Sequence, residues 1–93
     1  MALVFEWHPE KAVQNERKHR VTFEEASTVF DDVDFLMVED VDHSMDEDRF
    51  FTIGWSSAGK LLLVSHTDRA DRIRIISARE VTKNERTFYL ASL

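Results

Sequence analysis

The spacing of apolar residues changes repeatedly along the chain, and each change marks a new element. Residues 9–19 are rich in helix formers with a thin apolar stripe at Ala12 and Val13, and Pro9 suits a first helical turn, so a helix is predicted there. Thr22-Phe23-Glu24-Glu25 has capping-box spacing and opens a second helix with Phe23, Ala26, Val29 and Phe30 on its inner face, stopped by Asp31-Asp32. Asp34 to Val38 reads as a first strand. Phe50 to Trp55 and Leu61 to Thr67 are aromatic and β-branched, and Ser56-Ser57-Ala58-Gly59 between them signals a hairpin. Leu61 to Val64 shows no polar alternation and predicts a central strand covered on both faces. After a turn at Asp68 to Asp71, Arg72 to Arg79 alternates Arg with Ile. Thr82-Lys83-Asn84-Glu85 repeats the capping-box spacing and opens a last helix carrying Arg86, Phe88, Tyr89 and Leu90. The predicted fold class is α+β: two N-terminal helices, a four-stranded antiparallel sheet and a C-terminal helix.

Composition narrows this picture. The 93 residues suit one domain, 1–93, and two Gly with one Pro leave little room for a linker. With no cysteine there is neither a disulfide nor a thiolate metal site, which suits a reducing cytoplasm. No apolar run approaches the roughly 20 residues of a membrane span. Met1 to Trp7 has neither a basic leader nor a small-residue cleavage site, so a soluble cytoplasmic domain without a membrane role is expected.

Charge is unevenly placed. The formal total is −6, yet residues 1–48 hold 14 acids against 4 Lys/Arg and residues 49–93 hold 4 acids against 8 Lys/Arg. Asp31 to Asp48 contains nine acids and no Lys or Arg, a segment that repels phosphate and attracts cations. The Arg/Ile run does the opposite: a strand alternating Arg with Ile shows guanidinium groups from one face, and several such forks can hold an anion by bidentate hydrogen bonds. The plainer reading makes Arg72 and Arg74 solvated positions of a half-buried strand.

Five blocks carry a family resemblance: Phe5-Glu-Trp-His-Pro-Glu-Lys-Ala12, Asn15-Glu-Arg-Lys-His-Arg-Val-Thr-Phe-Glu-Glu-Ala26, Val29-Phe-Asp-Asp32, Arg49-Phe-Phe-Thr-Ile-Gly54 and Arg72-Ile-Arg-Ile-Ile-Ser-Ala-Arg79. In this order they resemble the BrnT family of toxins. The resemblance implies a RelE-like fold, endoribonuclease activity, and neutralisation by a BrnA-type antitoxin whose ribbon-helix-helix half binds DNA, giving an indirect association with DNA. The family pattern falls on Lys18-His19, Arg49, Ser77 and Arg79. The family commonly has Gly after Lys-His, where this chain has Arg20.

Metal-free, cofactor-free RNA cleavage needs the 2′-hydroxyl to lose a proton, the phosphate to bear extra charge and the 5′-oxygen to gain a proton, with a cyclic phosphate as expected product. Acid–base groups are each worth roughly 10² to 10⁴ in rate, and one aimed donor roughly 3 kcal/mol. The expected roles are Arg49 and Arg79 on the phosphate, Arg72 and Arg74 positioning the backbone, and His66 or Glu80 moving a proton. Each has a structural alternative: His66 as a satisfied strand-end residue, Glu80 as a partner of the helix dipole. Lys18, His19 and Tyr89 are candidate RNA contacts, and equally a solvated flank, a core-facing imidazole and a core aromatic. Asp40, Asp42, Asp46 and Asp48 lack the Gly and distal Glu of an EF-hand, and with His43 are read as docking basic antitoxin side chains or as solvated, not as a metal site. A non-catalytic antitoxin-binding corepressor is the alternative function.

Overall fold

The computed structural model describes residues 3–43 and 47–93. The chain runs β1 (Val4–Glu6), α1 (Pro9–His19), α2 (Phe23–Ser27) continued by a 3-10 turn (Thr28–Asp31), and β2 (Leu36–Glu39). A second 3-10 turn (Val41–His43), β3 (Arg49–Trp55), β4 (Leu61–Arg69), β5 (Arg72–Glu80) and α3 (Lys83–Ala91) follow. The sheet is five-stranded and mixed, in the order β1-β5-β4-β3-β2, which corrects the expected four antiparallel strands. The antiparallel meander β2 to β5 is present; β1 adds itself parallel to β5 through Val4, Phe5 and Glu6 opposite Arg72, Ile73 and Arg74. Three residues are too few to show a period, so no alternation announced this strand.

The helix ends follow local chemistry. Pro9 occupies the first turn of α1 and the His8 ring accepts the Glu10 N–H as its cap; at the other end Arg20 takes the left-handed conformation (φ 60°) and donates its N–H to the Glu16 carbonyl. The capping box of α3 is complete, with Thr82 and Glu85 each accepting the other's backbone N–H. At α2 only half forms. Thr22 accepts the Glu25 N–H, but the Glu25 carboxylate instead accepts the Ser56 hydroxyl at 2.7 Å, tying the helix to the β3–β4 turn.

A bulge decides which face of β5 each side chain reaches. Ser65 lies opposite Ser77 but His66 opposite Ile75, so Ile76 is the extra residue. On one side of it Ile73 and Ile75, and on the other Ala78, pack under α1 and α2 with Phe23, Val29, Phe30, Leu62 and Val64. Arg72, Arg74, Ser77 and Arg79 consequently project from the opposite face. That face has its own smaller core of Ile53, Leu61, Leu63 and Tyr89, beneath α3. β4 is thus covered on both sides at its start, as its unbroken apolar run predicts.

Beyond β1 the edge of β5 would be bare, and α1 covers it by an amide. The buried Asn15 side chain accepts the Ala78 N–H at 3.0 Å and donates to the Ala78 carbonyl at 2.8 Å and the Val21 carbonyl at 2.9 Å, so one side chain satisfies strand groups that a sixth strand would otherwise pair.

Candidate active site

Because α3 covers only one end of its sheet face, the other end lies open, and the strands deliver cations to it in register. Arg49 of β3 and Arg74 of β5 flank Thr67 of β4, and Arg69 stands opposite Arg72. These side chains edge a hollow of about 420 Å³ lined by Arg49, Thr67, Arg69 and Arg74, by His8 and Lys11 from the start of α1, and by Asp42 and Glu47 from the acidic segment.

Carboxylates balance the guanidinium groups. Glu6 of β1 accepts from Arg74 at 2.7 Å and lies 3.7 Å from Arg69 and 3.8 Å from Arg72. Glu47 accepts two hydrogen bonds from Arg69, at 2.8 and 3.1 Å, and the Arg69 hydrogen bonds, with the nearby charges of Arg74 and Arg49, hold its carboxyl below the usual range. The Thr67 hydroxyl has no hydrogen-bond partner among the described residues although Thr67 is almost fully buried. A buried hydroxyl is normally satisfied, so a polar ligand is its natural complement.

The structure gathers some of the predicted residues and separates others. Arg49, Arg72 and Arg74 share one end of one face. Arg79 lies on that face but opposite Leu63, four residues along β4 from Thr67, or about 13 Å at strand rise. There it donates to both Glu85 oxygens at 2.8 and 2.9 Å. It therefore fastens α3 and does not converge with Arg49. Glu80 ends β5 opposite Leu62, also away from the hollow.

His66 sits inside the sheet and is wholly buried between the rings of Phe30 and Phe50. Its Nδ1–H donates to Asp68 at 2.9 Å and its Nε2 accepts the Thr52 hydroxyl at 2.7 Å, the assignment that a neutral ring requires. Burial lowers its pKa and outweighs the opposing pull of Asp68. With both nitrogens occupied and no exposed surface, this ring is a core residue and not a proton carrier for a surface substrate. Tyr89 is equally enclosed: its hydroxyl donates to Asp32 at 2.7 Å, and burial together with that carboxylate pushes its pKa up to about 12. It cannot stack on a base. Asp32 also accepts the Trp55 and Asp34 N–H groups; burial raises its pKa, but these hydrogen bonds win and hold it low.

Lys18 and His19 border a second, shallower hollow between α1 and the edge of β5, which shares Lys11 and Ile76 with the first. Asp46 and the His43 side chain, on which a metal reading would depend, lie outside the described residues; among the described residues no three His, Asp or Glu side chains cluster as metal ligands. Residues that sequence reasoning passed over are His8, Lys11, Glu6, Thr67, Arg69 and Glu47. Only Arg69 left a signal: it continues the period of two from Thr67, and reading Asp68 to Asp71 as a turn concealed it. β4 in fact runs to Arg69.

The comparison with protein families falls on the same stretch of chain. The model of the family described as the ribonuclease toxin BrnT of type II toxin–antitoxin systems matches residues 7–85. The chain belongs to the BrnT family. The matched span contains all four arginines of the open face and both residues of the Arg79–Glu85 pair. BrnT toxins are components of toxin–antitoxin systems, and membership implies an antitoxin partner. A crystal structure of the Brucella abortus ribonuclease toxin BrnT is similar in fold, with a TM-score of 0.66 over 88% of this chain and 100% of that one, at 16% sequence identity. No curated protein matches the chain in sequence. No helix among the described residues is long and apolar enough to cross a membrane.

Proposed function

We propose that this BrnT-family chain is a metal-independent endoribonuclease whose phosphate site is the open end of the sheet, with Arg49 and Arg74 on the scissile phosphate, Arg72 positioning the backbone, and Lys11 and Lys18 guiding the strand along α1. The observation that carries it is the convergence of Arg49, Arg69 and Arg74 around the unsatisfied Thr67 hydroxyl in one hollow. Guanidinium forks fit phosphate oxygens bidentately, and the hydroxyl adds a neutral donor. His8 takes the proton-carrying role that burial denies His66. It is the one imidazole lining the hollow among the described residues, and its Nδ1, engaged as the α1 cap, leaves the proton on Nε2 as a donor. Attack of the 2′-oxygen on phosphorus, its proton passing to water, forms the new P–O bond and breaks the bond to the 5′-oxygen, which takes the His8 Nε2 proton and leaves as a hydroxyl, with a 2′,3′-cyclic phosphate on the other fragment.

The partner in this reading is a BrnA-type antitoxin, through which the complex reaches DNA. The free edge of the sheet, β2, supports a separate docking surface: Val33 is 95% and Val41 72% exposed, with Phe35 and Met37 also exposed. Asp31, Asp34, Glu39 and Asp42 interleave with them, which suits a basic, partly apolar segment. The experiment is incubation of purified protein with RNA in excess chelator and analysis of the ends. Cyclic phosphate ends, lost in Arg49→Ala and His8→Ala, are expected; intact RNA with folded protein and a bound antitoxin would favour the corepressor reading instead.

A further inference from the structure

Glu47 is the feature of the hollow that the ribonuclease reading leaves unexplained. A site meant for phosphate holds, on one exposed guanidinium, a carboxylate in the fork geometry a phosphate would adopt: two hydrogen bonds to Arg69, at 2.8 and 3.1 Å. Both side chains are open to solvent, at 46% and 43% exposure, so neither is locked by packing. Glu47 also lies within the fields of Arg49 and Arg74, the two guanidinium groups on either side of Thr67. With Glu6 shared among Arg69, Arg72 and Arg74, and Asp42 on the rim, the acids around the hollow offset part of the charge of its cations.

We infer that Arg69 is a further phosphate-binding residue and that Glu47 occupies its fork as an internal competitor, so that the site admits a polyanionic strand and resists single small anions. This rests on the reading of the hollow as the RNA site. An anion that meets Arg69 alone must displace a tethered carboxylate for one ion pair in return. A strand that places phosphates at Arg49, Arg74 and Arg69 together competes with Glu6 for Arg74 as well, but it sets three guanidinium contacts against the acids at once, and the Glu47 carboxylate on Arg69 is the exposed one. An exposed ion pair is weak, so displacement is within reach of such a ligand. The same device accounts for RNA binding by a chain of net charge −6: the competing acid leaves as the nucleic acid arrives, and the exposed cation count rises at the site of contact.

The test uses a ten-residue 2′-O-methyl oligouridine, which lacks the attacking hydroxyl, and measures its affinity for the full chain by fluorescence anisotropy across a salt series. Glu47→Gln is expected to bind about three- to fivefold tighter, the size of one exposed ion pair, with a steeper salt dependence by about 0.7 in the log–log slope. Arg69→Ala is expected to bind more weakly, and adding Glu47→Gln to Arg69→Ala should gain nothing. Unchanged or weaker binding by Glu47→Gln, or a gain that survives loss of Arg69, overturns the inference. Arg49→Ala and Arg74→Ala separate the two levels: if they weaken binding while Glu47→Gln does nothing, only the competitor fails. If neither weakens binding, the reading of the hollow fails and takes this inference with it.

Discussion

The two ends of one sheet face put the same residue types to opposite uses. At the covered end, Arg79 meets Glu85 in a bidentate pair whose acid is also half of a capping box, over a core that contains Tyr89. At the open end, Arg69, Arg72 and Arg74 share Glu6, while Glu47 reaches in from the acidic segment. Arginines of one strand thus divide between fastening a helix and facing solvent around a hollow. A guanidinium becomes a candidate for chemistry when its carboxylate is shared or displaceable, and a structural rivet when the carboxylate is already held by its own helix.

If that division is right, the largest stability effect belongs to the covered end. Tyr89→Ala removes the centre of the smaller core and a buried hydroxyl contact, and should cost about 3–5 kcal/mol in urea unfolding. Glu85→Ala, which loses the capping box and releases Arg79, should cost about 1–2 kcal/mol, whereas Arg74→Ala at the open end should stay within about 0.5 kcal/mol. Equal costs for Glu85→Ala and Arg74→Ala would erase the contrast. Arg20→Gly, remote from both ends, relieves a left-handed arginine and should stabilise the fold by about 1 kcal/mol.

Acid acts beneath both ends. His66 has a lowered pKa in the fold, so below about 6.5 the unfolded chain binds a proton that the folded ring refuses, and stability falls as pH drops through that range until the ring protonates in the fold as well. Melting temperatures at pH 7.5 and 5.5 check the sign. A melting temperature that rises on acidification would contradict the neutral, buried assignment.

Much of the fold was legible because its signals are local. The Thr82–Glu85 box, the Ser56–Gly59 turn and the unbroken Leu61 to Val64 run each depend on neighbours in sequence, and each reappears where expected. β1 escaped because a three-residue parallel strand gains its hydrogen bonds from Arg72 to Arg74, far along the chain. The Glu25 carboxylate left its box for Ser56 for the same reason: a tertiary partner outcompeted a local one. In the site, alternation correctly put Arg72 and Arg74 on one face, but a period of two cannot say where α3 stops covering that face, and so could not tell Arg79 from Arg74. For His66 the sequence left a proton carrier and a satisfied residue side by side, because burial on the sheet's other face follows from Phe30 and Phe50, not from its own neighbours. His8 had no reading from the sequence; that it caps α1 and also borders the hollow depends on how α1 lies along β5.

The most direct test of the account is single-turnover cleavage of RNA in chelator by Arg74→Ala and Arg79→Ala, both assayed well below their melting temperatures. Arg74→Ala should lose about a hundredfold or more in rate with its melting temperature nearly intact, while Arg79→Ala melts earlier yet cuts within a few-fold of the parent protein. A folded Arg79→Ala that no longer cuts, beside an Arg74→Ala that still does, would move the active site to the other end of the sheet.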